Sequence, residues 1–258
     1  MKKASLRYGP DRAQVAEIWR PRDEDHALPV VALIHGGFWR QIYTKRLMHR
    51  MAEAVVAHGW VAYNIEYRRV GAFGRGGWPA TFDDVSEAIE ALAAVDGIDQ
   101  RRVATCGHSA GGQLALWAGS SRTTGSPCPR PLSVRVCAAV SLAGVVDLAA
   151  AARSTVGNGA VTAFMGGSPA DVPDRYALGS PASLLPLGTP QFLPHGLADR
   201  TVPASLSADY VESARSLGDQ AEYVPLPGEG HMAMIDPGGT AFRELVARLE
   251  AVFSSSPG

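Results

Sequence analysis

The sequence has few cysteines, and their number and spacing exclude two kinds of structural support. Its three cysteines, Cys106, Cys128 and Cys137, are odd in number and lack the close pairing of a zinc site. We therefore expect neither a disulfide framework nor a structural metal, and the composition suits a reducing cytoplasm. No metal ion or other cofactor is predicted.

An excess of charge of either sign is also lacking. The chain has 25 acidic and 24 basic residues, mixed along its length, which gives a formal net charge of −1. A nucleic-acid-binding protein, or one that binds an anionic membrane, normally has a basic surface. We expect neither partner, and chemistry on a small molecule is favoured. The oligomeric state is left open.

Long hydrophobic runs are absent as well. No apolar stretch reaches the length of about 18 residues that crosses a bilayer. Near the amino terminus, Arg7 and Pro10 interrupt any apolar stretch of the kind found in secretory signals. The expectation is a protein that is neither exported nor membrane-spanning.

The chain does have ample material for a hydrophobic core. Hydrophobic residues make up 46% of its 258 positions and charged residues 19%, which is a globular composition. α/β folds of this length are commonly single units, so we expect one domain over 1–258.

Strand-like and helix-like segments alternate along the sequence, which indicates βαβ units. This order predicts an α/β fold with a mostly parallel central sheet and helices on both faces. From 144 to 190 the pattern weakens and small residues accumulate, so this segment is predicted to be a small cap-like excursion. The predicted strands are 13–19, 29–34, 60–65, 102–106, 134–142, 191–195 and 221–224, and the predicted helices are 44–57, 83–95 with Thr81 as N-cap, 202–217 and 242–253.

A serine lies where a predicted strand meets a helix-compatible segment. Residues 107–111, GHSAG, match the G-x-S-x-G nucleophile elbow, in which the chain turns so sharply that only small residues fit beside the serine. Glycine-rich sequences contain this pattern by chance, and Ser109 then is an ordinary loop serine. The strand–turn–helix context favours Ser109 as a nucleophile.

A serine nucleophile needs a base, and two of the seven histidines lie downstream of Ser109. In the chain order Ser, acid, His, the candidates are His195, at a strand end, and His231, in a glycine-rich loop after the last strand. A loop at that position reaches the serine easily, so we predict His231 as the base. The alternative for His231 is a solvent-exposed loop histidine.

The acid that orients the histidine is predicted to be Asp199. It follows the strand before the last one, in a turn-rich loop at the carboxyl end of the sheet. Asp147 follows the preceding strand and is the alternative, although a helix cap is the favoured explanation for it. Glu229 is too near His231 along the chain to be an easy partner.

The segment HGGFW at 35–39, named the oxyanion loop below, follows the first long apolar strand. Its two glycines let backbone N–H groups turn toward a developing negative charge. We predict the amides of Gly37, Phe38 and Ala110 as the donors of an oxyanion hole. His35 precedes the serine and is expected to brace the loop by hydrogen bonds.

Together these motifs resemble the α/β-hydrolase superfamily, and within it the hormone-sensitive-lipase-type esterases and the kynurenine formamidases (arylformamidases). Formamidases have His-Gly-Gly-Tyr-Trp or a close variant at the oxyanion loop, whereas the lipase-like group usually has a third glycine where this chain has Phe38. The resemblance extends over about 29–117 and 191–232 and covers little of 144–190. It implies an α/β-hydrolase fold and a Ser109–Asp199–His231 triad; the substrate is an inference by analogy.

The expected function is hydrolysis of a small acyl group from an ester or aryl formamide through an acyl-enzyme. Phe38 and Trp39 are predicted to close the acyl side of the substrate pocket, which favours formyl or acetyl; packing of both rings in the core is the alternative. The competing functions are an exopeptidase, an acyl transferase and a non-catalytic ligand-binding protein on the same fold.

Overall fold

One sheet of eight strands runs through the part of the chain that the computed structural model describes, residues 1–22, 26–120, 133–154 and 156–255. Cys128 lies outside these residues. The strands are β1 (Lys2–Arg7), β2 (Val15–Arg20), β3 (Leu28–Ile34), β4 (Val61–Ile65), β5 (Ile98–His108), β6 (Val136–Leu142), β7 (Gln191–Gly196) and β8 (Ala221–Leu226).

The strand order is β1-β2-β4-β3-β5-β6-β7-β8. Strands β3 to β8 are parallel, while β1 and β2 pair antiparallel with each other and β2 pairs antiparallel with β4. All seven residues of β3 are buried, as expected for a central strand covered on both faces. The carboxyl ends of the parallel strands therefore meet at one edge of the sheet, where ligand sites of such folds form.

Helices cover both faces of the sheet. Met51 and Val55 of the first helix share a hydrophobic cluster with Leu245 and Leu249 of the last one, whereas Phe82 and Leu114 of the second and third helices belong to another cluster. The helices are α1 (His49–Ala57), α2 (Ala80–Glu90), α3 (Ala110–Gly119), α4 (Leu148–Ala152), α5 (Ala160–Met165), α6 (Pro173–Gly179), α7 (Ser205–Ser216) and α8 (Thr240–Ser255).

The predicted α/β fold is confirmed, and the differences lie at element boundaries, in the edge strand β1 and in the short helices α4 to α6. The predicted helix 44–57 begins with a 3-10 turn, Lys45–Met48, before α1 starts. Thr81 is not an N-cap, because α2 already begins at Ala80 with Pro79 at the cap position. The Thr81 hydroxyl instead donates to Arg68 O at 2.6 Å. Strand β1 was not predicted, since its residues are mostly exposed and form an edge.

The 144–190 segment contains the short helices α4, α5 and α6 and a 3-10 turn, Pro181–Leu184. Leu148, Val161 and Phe164 of this segment belong to the same hydrophobic cluster as α2 and α3. The segment therefore shares the core of the sheet. None of the helices in the described ranges combines the length and the hydrophobicity that crossing a membrane requires.

Candidate active site

Ser109 lies between the end of β5 and the start of α3 in a strained backbone conformation, with φ 55° and ψ −119°. The two glycines of the motif permit this turn. A Cβ atom at Gly107 would lie 1.9 Å from Gly111 O, and one at Gly111 would lie 2.1 Å from Ile34 O. Close packing of backbone on backbone thus explains why glycine occupies both positions.

Asp199 and His231 come together from the loops that follow β7 and β8. The two loops are joined by a hydrogen bond from the Ala198 amide to Glu229 O at 2.9 Å. His231 Nδ1 lies 2.6 Å from Asp199 Oδ2. An ionised Asp199 only accepts, so this contact favours the tautomer of a neutral His231 ring that has its proton on Nδ1 and its lone pair on Nε2.

The Asp199 carboxylate is fully buried and is surrounded by donors. Its other oxygen, Oδ1, accepts the amides of Thr201 at 2.7 Å and Val202 at 3.0 Å. Burial on its own raises the pKa of Asp199, but hydrogen bonds from His195, His231 and these two amides outweigh burial and hold the pKa well below its usual range. Asp199 is therefore a carboxylate at neutral pH.

His195 lies behind Asp199 rather than at the serine. Its Nε2 is 3.3 Å from Asp199 Oδ2 and 3.0 Å from Val202 O, and its Nδ1 is 2.8 Å from the Ser207 hydroxyl. The side chain is fully buried. Sequence reasoning weighed His195 only as a base and missed this second contact to the acid; the spacing of four residues in HGLAD was the available signal.

His108, the residue before the serine, contacts the loop that carries the predicted base. Its Nε2 donates to the backbone oxygen of His231 at 3.0 Å, and the two imidazole rings are 4.6 Å apart. Burial, with repulsion from His231, lowers the pKa of His108 to about 3, so the ring is neutral. The sequence analysis assigned no role to this residue.

His231 lies beside the elbow, but no hydrogen bond joins it to Ser109 in the part of the chain that the structure describes. Among the described residues, the Ser109 hydroxyl makes no hydrogen bond, although Ser109 is only 2% exposed. Catalytic hydrogen bonds are often long in an unliganded site and tighten when substrate binds.

The oxyanion loop turns against the elbow in a sequence of left-handed conformations, with φ 111° at Gly37, 55° at Phe38 and 54° at Trp39. A Cβ at Gly36 would lie 3.0 Å from the Ser109 Cβ, so the loop and the nucleophile are in direct proximity. Within the described part of the chain, the amides of Gly37, Phe38 and Ala110 have no hydrogen-bond acceptor. They are available to a negatively charged oxygen.

His35 has the bracing contacts expected of it. Its Nε2 is 2.8 Å from Glu66 Oε1, and its ring stacks on Tyr67 with centroids 4.4 Å apart. The Tyr67 hydroxyl donates to His35 O at 2.8 Å. Burial raises the pKa of Glu66, but the His35 hydrogen bond and the nearby Arg69 lower it further than burial raises it. The segment after β4 thus fixes the start of the oxyanion loop.

Trp39 and Asp147 have structural contacts. Trp39 is 1% exposed, stacks on Phe164 with centroids 4.4 Å apart, and donates from Nε1 to Gln113 Oε1 at 3.2 Å. It offers almost no surface to a substrate and packs in the core, the alternative that the sequence allowed. Asp147 accepts the Ala150 amide at 2.9 Å and caps α4.

Comparison with solved structures places this fold among the α/β-hydrolases. A truncated form of a carbohydrate esterase from gut microbiota superposes with a TM-score of 0.84 at 22% identity, covering 99% of this chain and 97% of that one. Esterase 2 of Thermogutta terrifontis, phosphoramylated by tabun, superposes with a TM-score of 0.75 at 22% identity, covering 99% and 97%. The α/β-hydrolase fold predicted from the sequence is confirmed.

The sequence itself matches the BD-FAE family model over residues 16–213, and the chain belongs to this family. It is also 32% identical over 244 residues to Esterase LipC of Mycobacterium tuberculosis (strain ATCC 25618 / H37Rv), which covers 87% of this chain. The chain spans 58% of the length of that relative. The resemblance to kynurenine formamidases stays a prediction.

Proposed function

We propose that the chain is a serine esterase that removes small acyl groups from esters, with Ser109 as nucleophile, His231 as base and Asp199 as the orienting acid. The observation that carries the proposal is the 2.6 Å contact between Asp199 and His231 at the sheet edge that also holds the strained Ser109. Gly37, Phe38 and Ala110 supply the oxyanion donors.

The proposed reaction has two steps. His231 Nε2 takes the Ser109 hydroxyl proton as Oγ attacks the ester carbonyl, and the three amides stabilise the resulting oxyanion. The ester C–O bond then breaks, and His231 returns the proton to the leaving alcohol. Water repeats the sequence on the acyl-enzyme and releases the acid. Asp199 keeps Nδ1 protonated and stabilises the imidazolium throughout.

The names of the similar proteins support ester hydrolysis. LipC and both solved structures are called esterases, one of them a carbohydrate esterase and another phosphoramylated by tabun. Organophosphorus reagents react with activated serines, which agrees with a serine mechanism for that neighbour. The two unpaired cysteines of the described residues, Cys106 and Cys137, agree with the cytoplasmic location that is part of this proposal.

The direct test of this proposal is labelling with a fluorophosphonate probe followed by peptide mass spectrometry. We expect one adduct, on Ser109, and no adduct in Ser109→Ala. The matched control is Ser141→Ala, which removes another buried serine hydroxyl near the elbow. A folded wild-type protein that takes up no probe, or one labelled at another residue, would overturn the nucleophile assignment.

Hydrolysis of aryl formamides is a second candidate, favoured by one observation, the HGGFW segment at 35–39. Cleavage of a formamide requires His231 to protonate a leaving amine, which the same arrangement permits. Rates on a panel of aryl formamides and matching aryl formate esters decide between the two: activity on the esters alone leaves the esterase proposal in place.

A further inference from the structure

A cavity of about 680 Å³ lies beside the oxyanion loop. Its walls come from the oxyanion loop and the residues after it, from the loop after β4, and from the start of α5. This volume is far larger than an acetyl group requires and is within the range of small-molecule sites. Its lining residues include Phe38, Arg40, Ile42, Val70, Phe73 and Ala160.

Phe38 connects this cavity to the candidate active site. Its backbone amide is one of the proposed oxyanion donors, and its side chain is part of the cavity wall. A substrate whose carbonyl oxygen accepts the Phe38 amide therefore lies within one residue's length of the cavity.

The cavity wall is mainly apolar, and its outer part is exposed. Ile42 and Phe73 are large hydrophobic side chains with 80% and 84% of their surface exposed. Val70, which is half-buried, and Ala160, which is buried, also line the cavity. Exposed apolar groups gathered around one concave surface are typical of a binding site.

Arg40 gives this apolar cavity a positive charge. Its guanidinium lies 5.5 Å from the centroid of the Phe38 ring and donates to Gly157 O at 3.0 Å. Within the described residues Arg40 has no carboxylate partner, and no acidic residue lines the cavity. A guanidinium in this position is suited to a carboxylate, which it can contact through two N–H groups.

We propose that this cavity binds the alcohol portion of the substrate, an apolar group bearing a carboxylate, and that Arg40 recognises the carboxylate. The inference rests on the proposed esterase function, because it assigns the small acyl group to the serine and the larger alcohol to the cavity. Arg40 is here a specificity-determining residue.

The test compares two acetate esters that have the same shape and differ in charge, 3-carboxyphenyl acetate and 3-carbamoylphenyl acetate. The quantity measured is the ratio of their kcat/KM values within one protein, so a partly active preparation does not alter it. We expect Arg40→Gln to lower this ratio roughly threefold to tenfold, mainly through KM. Added salt is expected to lower the wild-type ratio as well.

Arg46→Gln is the matched control, since Arg46 is an exposed arginine of the same region that does not line the cavity. We expect its ratio to equal that of the wild type. The backbone pairing of Arg40 with Val70 does not involve the side chain, so Arg40→Gln retains it.

Phe73→Ala tests the apolar wall: we expect a higher KM for phenyl acetate relative to ethyl acetate, with exposed Leu217→Ala as control.

The outcomes distinguish a failure of the carboxylate subsite from a failure of the proposed esterase function. If the wild type hydrolyses both esters and the ratio is the same in Arg40→Gln, the carboxylate subsite is wrong and the esterase proposal stands. If the wild type hydrolyses neither ester nor any simple acetate, the proposed function itself is wrong.

Discussion

The contacts of the candidate site converge at Asp199. Its buried carboxylate contacts the imidazoles of two histidines and accepts hydrogen bonds from two backbone amides. Each donor stabilises the negative charge, and the pair His195–His231 fixes the direction of Oδ2 from two sides. A carboxylate held in this way orients an imidazole without needing to take its proton.

We therefore expect Asp199→Asn to lower kcat for an acetate ester by about 10⁴, because an amide at this position favours the wrong His231 tautomer. Asp147→Asn is the matched control, and its effect on kcat is expected to stay below about threefold, since asparagine also caps a helix. Steady-state kinetics on both purified variants measure the difference. A reversed order of the two effects would give the role of acid to Asp147.

At the residue scale, the sequence predicted the three members of the candidate triad but not all of the residues that contact them. The G-x-S-x-G motif and the chain order were enough to select Ser109, Asp199 and His231, whose catalytic roles stay predictions. The contact of His108 was not predicted, because it depends on how the loop after β8 lies against the elbow. His195 was considered only as a base, although its contact with Asp199 is local.

The proposed substrate selection involves the oxyanion loop, whose two aromatic residues have different environments. Phe38 is half-buried and faces the cavity, while Trp39 is buried between Phe164 and Gln113. The prediction from sequence treated both as walls of the acyl side, since a sequence pattern does not show which way consecutive left-handed residues turn their side chains.

Replacing the buried ring tests its structural role. We expect Trp39→Ala to lower the free energy of unfolding by about 3–5 kcal/mol, as is usual when a fully buried aromatic side chain is removed from a core. Urea denaturation followed by circular dichroism measures this change. A loss below about 1 kcal/mol, accompanied by a changed preference for acyl chain length, would instead place Trp39 in the substrate pocket.

The proposed preference for small acyl groups gives a prediction for acyl chain length, and Phe38 gives one for the alcohol side. For wild-type protein, kcat/KM on p-nitrophenyl esters is expected to peak at acetyl or propionyl and to fall roughly tenfold by octanoyl, because a closed acyl side excludes added methylenes. Phe38→Gly retains the backbone donor, and because Phe38 lines the cavity assigned to the alcohol, it is expected to leave this acyl optimum unchanged and to raise KM for phenyl acetate relative to ethyl acetate. A flat wild-type profile contradicts the small-acyl proposal and favours a broad esterase.

Most strands and long helices were predictable because periodicity and buried apolar runs are local signals. The short helices α4 to α6 were not, since each is held by packing on the common core rather than by its own pattern. The N-cap predicted at Thr81 is wrong for a similar reason. The Thr81 hydroxyl donates to Arg68 O, which lies in another segment, and local sequence does not indicate that contact.

For the whole molecule, the buried neutral His108 makes stability depend on pH. Its pKa is about 3 in the folded protein and about 6.5 when unfolded, so between these values the unfolded chain binds more protons. The stabilisation is complete above about pH 6.5 and is lost as the pH falls toward 3. We expect His108 to account for a loss of about 2–3 kcal/mol between pH 7 and pH 4.5.

Urea unfolding of wild-type protein, His108→Gln and the exposed-site control His26→Gln at both pH values measures this contribution. The stability of His108→Gln is expected to fall less steeply with acid than that of the other two. Equal slopes in all three proteins would mean that His108 does not titrate on unfolding.

The hydrogen bond between His108 and the backbone of His231 joins residues 123 positions apart. In the sheet, the strands that lead to these residues are joined by the successive pairings of β5, β6, β7 and β8, and pairings between distant segments are the slow steps of folding. The proposed triad is therefore completed late in the folding of each chain. A nascent polypeptide that has not yet emerged past β8 contains Ser109, the proposed nucleophile, but not His231, the proposed base, so on this assignment no activated serine is exposed while the sheet is still being assembled.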